Sequence, residues 1–283
     1  MQPVAQLLST LDLEQIEVNI FRGVSPDETV QRVFGGQVAG QALVAAGRTV
    51  PAERGVHSLH AYFLRPGDPS IPIVYEVDRI RDGRSFTTRR VVAVQHGKAI
   101  FNLSASFQVS EPGVEHQAQM PDAPSPETLP TLAERREAAG GDAERWKRPR
   151  PIDLRYVDDP PWFEGGDSRR RTSQQVWLRA NGDMPDDPLL HVCAVTYASD
   201  MTLLDSVLLA NGLTWDDNRK VMLASLDHAM WFHRPFRADD WLLYDQASPT
   251  ASGARGLAIG RLFTRDGKHV VSMVQEGLVR VVT

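Results

Sequence analysis

The chain has 283 residues, 42% of them hydrophobic, with 31 basic and 36 acidic side chains and a net charge of −5. That length suits one large or two ordinary domains with a sizeable core, and the mixed charges exclude a broad basic face for nucleic acid or an anionic membrane. Cys193 is the single cysteine, which excludes an intramolecular disulfide framework or a cysteine-rich metal cluster and fits a reducing compartment, with the cytoplasm as the default expectation.

The opening stretch MQPVAQLLSTLDLEQIEVNIF lacks a basic n-region and meets Asp12 and Glu14 early. No apolar run approaches the roughly 18 residues of a membrane span, so neither targeting nor membrane insertion is expected. After Phe34-Gly35-Gly36, the positions Val38, Ala42, Leu43, Ala45 and Ala46 fall on helical spacing and Gly47 can stop the helix. A helix near 37–49 is predicted, with side chains small enough for a sheet to wrap it closely. Runs rich in β-branched and aromatic residues follow at Val56–Leu64, Ile73–Arg81, Thr87–Gln95 and Ala99–Val109, with Asp82-Gly83 and His96-Gly97 as turn signals. The order is a helix and then an antiparallel meander.

Segment 111–170 holds nearly half of the 19 prolines, from Pro112 to Pro161, a density that forbids continuous helix or central strand. Residues 111–150 read as a connection with one short helix at Leu132–Ala139, where good helix formers cluster. Beyond it, Met201, Leu204, Val207 and Leu208 form an apolar stripe ended by Asn211-Gly212. This predicts a helix near 200–211 with Ser199 or Asp200 as its N-cap. Strand-like runs return at Val221–Leu226, His228–His233, Trp241–Gln246, Ala254–Arg265 and Lys268–Val282.

The plan repeats in its residues too. Leu59-His60-Ala61 leads into Arg65-Pro66 as Asp227-His228-Ala229 leads into Arg234-Pro235, and Gly97-Lys98 answers Gly267-Lys268. Such matched spacing argues an internal duplication. A helix wrapped by a long antiparallel sheet, twice in one chain, is an α+β double hotdog. The sequence divides into an N-terminal hotdog at 1–110, the proline-rich connection at 111–150 and a C-terminal hotdog at 151–283.

The stretches YFLRPGD (62–68), RDGRSFTTRR (81–90), IFNLSASFQ (100–108), YASD (197–200), LDHAMWFHRPF (226–236), WLLY (241–244), ARG (254–256) and VQEG (274–277), in this order, resemble the type II acyl-CoA thioesterases over nearly the whole chain outside the connection. The resemblance implies hydrolysis of acyl-CoA to free acid and CoA by a water held between an Asp, a Thr and a Gln of the second hotdog; with no metal-ligand spacing in the sequence, no metal and no cofactor are expected. Carried over by motif, these fall on Asp200, Ser225 and Gln275, with Ser in place of the family's Thr. Ser keeps the hydroxyl and loses the methyl that restricts χ1. Asp200 is then the base, Ser225 and Gln275 hold the water, and N–H groups at a central helix start, where Gly35-Gly36 permits close approach, offer an oxyanion site. Homo-oligomerisation is a further expectation from the family.

Each residue also has an ordinary reading. Asp200 alone reads as a helix cap, Ser225 as a strand hydroxyl, and Gln275 could be turned outward by a bulge at Gly277. His57, His60, His228 and His233 lack metal-ligand spacing and read as inter-strand or core hydrogen bonders. Asp227-His228 suggests a hydratase pair, but adjacent strand residues face opposite ways, which discounts it. Arg84, Arg89 and Arg90, or Arg169, Arg170 and Arg171, suit CoA phosphates, with solvated surface charge as the ordinary alternative. A non-hydrolysing acyl-CoA-binding hotdog is the competing function.

Overall fold

The computed structural model describes residues 3–26, 31–160, 170–213 and 221–281. Arg169, Pro161 and Val282, each used in the sequence reading, lie outside the described residues.

The first half runs α1 (Val4–Leu11), β1 (Glu14–Glu17), β2 (Ile20–Gly23), α2 (Gly35–Gly47), β3 (Arg54–Phe63), β4 (Ile73–Asp82), β5 (Phe86–Gln95) and β6 (Lys98–Val109). The connection carries α3 (Leu132–Ala138) and α4 (Glu144–Lys147). The second half runs β7 (Ile152–Tyr156), β8 (Ser173–Ala180), α5 (Pro188–Ser199), α6 (Asp205–Asn211), β9 (Val221–Ser225), β10 (Asp227–Phe232), β11 (Leu242–Ser252), β12 (Arg255–Thr264) and β13 (His269–Val281).

All thirteen strands of the described residues form one antiparallel sheet in the order β1-β2-β4-β5-β6-β3-β10-β13-β12-β11-β8-β7, with β9 paired to β13 beside β10. Read outward from the β3·β10 joint, the two halves repeat one another strand for strand. One core cluster runs through both, with α2 and α5 packed against each other inside the sheet. The expected double hotdog with joined sheets is the observed fold.

The helix pair is antiparallel and close. A Cβ on Gly36 would overlap the carbonyl of Tyr197, and one on Gly40 would lie 3.2 Å from the carbonyl of Cys193, so glycine at these two positions lets the backbones meet. The second central helix is α5, not the predicted 200–211. Of that stretch only Asp205–Asn211 is helical, and this α6 lies on β8, β11 and β12, ending on Gly212 in the left-handed conformation. The sequence PLLHVCAVTYAS is buried on nearly every side, including His191, Cys193, Thr196 and Ser199, so it shows no amphipathic stripe. Its start signal is present nonetheless: Asp187 caps Leu189 N–H at 2.9 Å and Pro188 takes the first turn. Ser199 is therefore the last residue of α5 and Asp200 its C-cap, which corrects the N-cap reading.

The proline-rich connection covers the outer face of the second half-sheet. Met120, Ala123 and Leu129 pack on Trp177, Trp241, Leu243 and Phe263, and Trp177 Nε1 donates to the carbonyl of Pro124 at 2.8 Å. The predicted short helix is α3, begun by a capping box in which Thr131 and Glu134 each bond the other's backbone N–H.

The internal repeat needs one correction. In the joint, Ala61 opposes His228 and His60 opposes Ala229; Ala61 and His228 are buried while His60 is exposed. Arg65-Pro66 and Arg234-Pro235 stand 169 residues apart (234 − 65), whereas His60 and His228 stand 168 apart (228 − 60). One residue of slip exchanges faces of a strand, so the two histidines are not counterparts. The counterpart of His228 is Leu59, which opposes Met230 on the core side.

Candidate active site

Three elements bring the predicted residues together. β13 is the long central strand of the second half, and alternation places Val271, Met273 and Gln275 on its inner face, all fully buried. Gln275 lies in regular register opposite Ala258, and Gly277 opposite Gly256; no bulge turns the amide outward, which settles that alternative. β9 runs along the other edge of β13 with Ser225 opposite Gly277, hence on the same face as Gln275, one step along the strand. Leu226 is the extra residue between β9 and β10: its N–H donates to Glu276 O and its carbonyl accepts from Phe63 N–H, both at 2.9 Å. The ladder opens there, beside the hydroxyl.

Asp200 enters from the end of α5. Its Oδ1 accepts Gln275 Nε2–H at 2.5 Å and Ser225 Oγ–H at 3.0 Å, while Gln275 Nε2 also donates to Ser225 Oγ at 2.8 Å. The three side chains close a triangle. The backbone N–H of Gly36, in the first turn of α2, also bonds the carboxylate; a Cβ on Gly35 would stand 2.6 Å from Asp200 Oδ2 and 2.8 Å from the ring of Phe63. The first half thus supplies a helix N-terminus to an acid of the second. The expected use of the Gly35-Gly36 turn as an oxyanion donor is corrected for Gly36, whose N–H goes to Asp200.

Burial pushes the Asp200 carboxyl up to about 6, against the pull of Gln275, Ser225 and the Gly36 N–H, which all favour the anion. It is thus still mainly ionised at pH 7, and basic enough to take a proton there. Asp200 and Ser225 are partly exposed while Gln275 is fully buried, so access is from the Asp–Ser side. Gln275 Oε1 is buried and has no protein partner.

The turn after Asp200 is fixed from behind, a feature the sequence reading missed. Tyr244 Oη donates to Ser199 O at 3.1 Å, Gln174 Nε2 donates to Thr202 O at 2.9 Å, and Gln246 Nε2 donates to Thr202 Oγ1 at 2.6 Å. Gln174 and Gln246 are buried on inner strand faces, and two buried amides in such runs are the signal that marked them.

The remaining candidates fall elsewhere. Arg89 is 1% exposed and holds Thr49, Arg81 O, Thr88 O and Asp82, so it is structural; Arg90 pairs with Asp78 on the surface, and Arg171 donates to Asp159 O. His57 bonds Ser106 Oγ and His233 bonds Ser272 Oγ across neighbouring strands, each at 2.8 Å, His60 packs edge-on to Trp231, and buried His228 meets Ser199 Oγ at 2.9 Å. Asp227 Oδ1 turns the other way to accept Glu276 N–H, as strand alternation requires. Among the described residues no His, Cys, Asp and Glu group is placed to hold a metal ion, and no helix is long and apolar enough to cross a membrane.

Comparison with known proteins fits this architecture. The sequence profile of the acyl-CoA thioesterase family matches residues 149–278, and that of the acyl-CoA thioesterase N-terminal domain matches residues 24–108. The chain is 42% identical to human acyl-coenzyme A thioesterase 8 over 96% of its own length and 88% of that protein. It is 38% identical to acyl-CoA thioesterase 2 of Haemophilus influenzae over 97% and 96%. The crystal structure of an acyl-CoA thioesterase II from Mycobacterium marinum superposes with a TM-score of 0.79 at 48% identity, covering 97% of this chain and 98% of that one. With both hotdog halves matched in order and the likeness spanning nearly the full length, the chain belongs to the type II acyl-CoA thioesterase family.

Proposed function

We propose that the protein hydrolyses acyl-CoA to the free acid and CoA, with Asp200 as general base and Ser225 and Gln275 as the groups that hold the attacking water. The observation that carries this reading is the closed Asp200–Ser225–Gln275 triangle around a carboxylate whose pKa is raised to about 6. A base whose pKa lies near the working pH combines availability with driving force. The buried, unpaired Gln275 Oε1 accepts one O–H of the water and Asp200 takes the other proton as the oxygen attacks the thioester carbonyl. The positive end of the α2 dipole favours the oxyanion that forms. Collapse of the tetrahedral intermediate expels the CoA thiolate, which is a good enough leaving group to depart without a strong acid beside it.

The same reading takes 1–110 and 151–283 as the two hotdog units and 111–150 as their connection, and it includes homo-oligomerisation and a cytoplasmic location. Thiol release from short, medium and long acyl-CoAs, with and without chelator, tests the activity. Turnover unaffected by chelator is expected. No thiol release at any chain length would leave a binding-only hotdog.

A further inference from the structure

The strand-for-strand repeat gives every part of the site a counterpart at the opposite end of the helix pair. Val56 opposes Phe107 in β3·β6 as Ser225 opposes Gly277 in β9·β13, at offsets of 169 (225 − 56) and 170 (277 − 107). A register irregularity follows Val56 as the ladder break follows Ser225. At the β6-to-β13 offset of 170, Ala105 stands for Gln275 (275 − 105), and Arg48, C-cap of α2, stands for Asp200, C-cap of α5. Arg48 turns away to Asp12 and the carbonyl of Leu13. The hydrolytic set is therefore missing at that end.

The cleft is not missing. A cavity of about 1340 Å³ opens between the C-terminal end of α2 and the start of α5, bordered by Val56, Phe107, Val192, Phe232, Arg54 and His191. Phe232 stands there as Phe63 stands beside Gly35 at the other end. The volume exceeds that of an ordinary small-molecule pocket. His191 is only 3% exposed; its Nδ1 accepts Ala238 N–H at 3.0 Å, so Nε2 carries the proton, and that N–H has no protein acceptor. Arg54 Nε is buried and unpaired in the same wall. Three cations at the rim are matched by acids, Arg237 with Asp186 and Asp239, Arg265 with Glu127 and Lys268 with Asp266. Arg234 and Arg54 donate to neutral oxygens, Arg234 to the carbonyls of His269 and His116 and Arg54 to the carbonyls of Gly83 and Arg84 and to Thr87 Oγ1. An apolar floor of Val56, Phe107, Val192 and Phe232, with two unpaired buried donors beside it and a rim where Glu53, Glu111, Asp186, Asp187, Asp240 and Asp266 stand among the cations, suits a long alkyl chain ending in one hydrogen-bond acceptor more than it suits phosphate groups.

We propose that this second cleft binds a fatty-acyl ligand without hydrolysing it, the chain lying on Val56, Phe107 and Phe232 and the carbonyl or carboxylate oxygen accepting His191 Nε2–H. The proposal rests on reading the Asp200 end as an acyl-CoA hydrolase, since the duplicated elements supply the shared shape. The ligand has two sources, intact acyl-CoA and released fatty acid, and the test separates them.

Stoichiometry is measured by isothermal titration with S-(2-oxoalkyl)-CoA compounds, which keep a carbonyl but have no thioester, and separately with the free fatty acids of the same chain lengths. The full-length parent is expected to bind two ligands per chain in at least one arm. Val56→Trp fills the cleft from a partly exposed inner-face position, and His191→Leu removes the donor; each is expected to leave one ligand per chain with kcat at saturating substrate within about twofold of the parent. Should His191→Leu fold poorly because Ala238 N–H loses its acceptor, Val56→Trp decides alone, and should that variant misfold, competition between the two ligand classes on the parent decides by showing one shared site or two. One ligand per chain in both arms, or a second ligand that survives Val56→Trp, overturns the proposal. Absent turnover with two ligands bound would sink the hydrolase reading and keep this one.

Discussion

The two ends of the helix pair are built from the same parts and differ in a handful of side chains. At one end stand Asp200, Ser225 and Gln275, with Gly35-Gly36 opening α2 against the carboxylate. At the other stand Arg48, Val56 and Ala105, with Asp187-Pro188 opening α5 and its cap already filled by Asp187's own carboxylate. The comparison teaches that the hotdog frame makes clefts and helix termini twice by topology, while single residues give one end, and not the other, the polar triangle to which the proposed function assigns the chemistry. The proposed site also joins the halves: Asp200 and its two partners come from the second half, and the helix terminus that bonds the carboxylate comes from the first.

Asp200→Asn strikes the distinction hardest. Turnover should fall by about 100-fold or more, the usual contribution of a general base, as read by thiol release. Stability should also change in its response to pH. The folded protein holds the proton on Asp200 up to about pH 6, against an ordinary value of 3.8. Between these values the folded state binds more protons than the unfolded one, so this group's contribution to stability is greatest below pH 4 and is lost as pH rises through 6. Asparagine does not titrate, so the variant's melting temperature should lose the part of its pH dependence between 4 and 6 that Asp200 causes in the parent, as read by melting curves across that range. Near-normal turnover would return Asp200 to a capping role.

Gly35→Ala probes the other half's share. The new methyl would crowd Asp200 Oδ2 and Phe63, and a displaced carboxylate should cost on the order of 100-fold in kcat with a far-ultraviolet spectrum like the parent's. Parent-like kcat would show that the α2 terminus does not position the acid. Ser225→Ala and Gln275→Ala should each lower kcat by roughly tenfold or more with little change in KM, and the double variant should lose far less than the product of the two. Additive losses would mean that the two groups do not share a water. The parent's kcat/KM should fall as pH drops below about 6, where Asp200 becomes protonated, and a profile flat down to pH 4.5 would count against a carboxylate base of that pKa. The smallest effect is expected from Ser225→Thr, whose added methyl restricts the hydroxyl's rotamers; activity should equal or exceed the parent's.

Much of this was legible in order and spacing. The meanders, the proline-rich connection and the duplication could be read from local periodicity and turn chemistry, because strand alternation and proline restriction act within a few residues, whereas Asp200, Ser225 and Gln275 enter as candidates through the motif series alone. Two things were misread, each for its own reason. The stripe at Met201–Leu208 looked like the central helix because amphipathic periodicity marks a helix with one wet face, whereas α5 has almost none and shows its start only in Asp187-Pro188. The histidine match at 60 and 228 looked like a repeat because identity says nothing of which face a strand residue takes. What the amino-acid sequence determined by itself is therefore α2, the two meanders that follow the central helices, their order and the chemical inventory. Only the tertiary structure decided that Asp200 closes α5 rather than opening a helix, that Gly36 of the other half bonds it, and that the same frame leaves a second cleft without counterparts of Asp200, Ser225 and Gln275. Those depend on strand register and on the approach of two helix backbones, which are set by packing between segments more than a hundred residues apart.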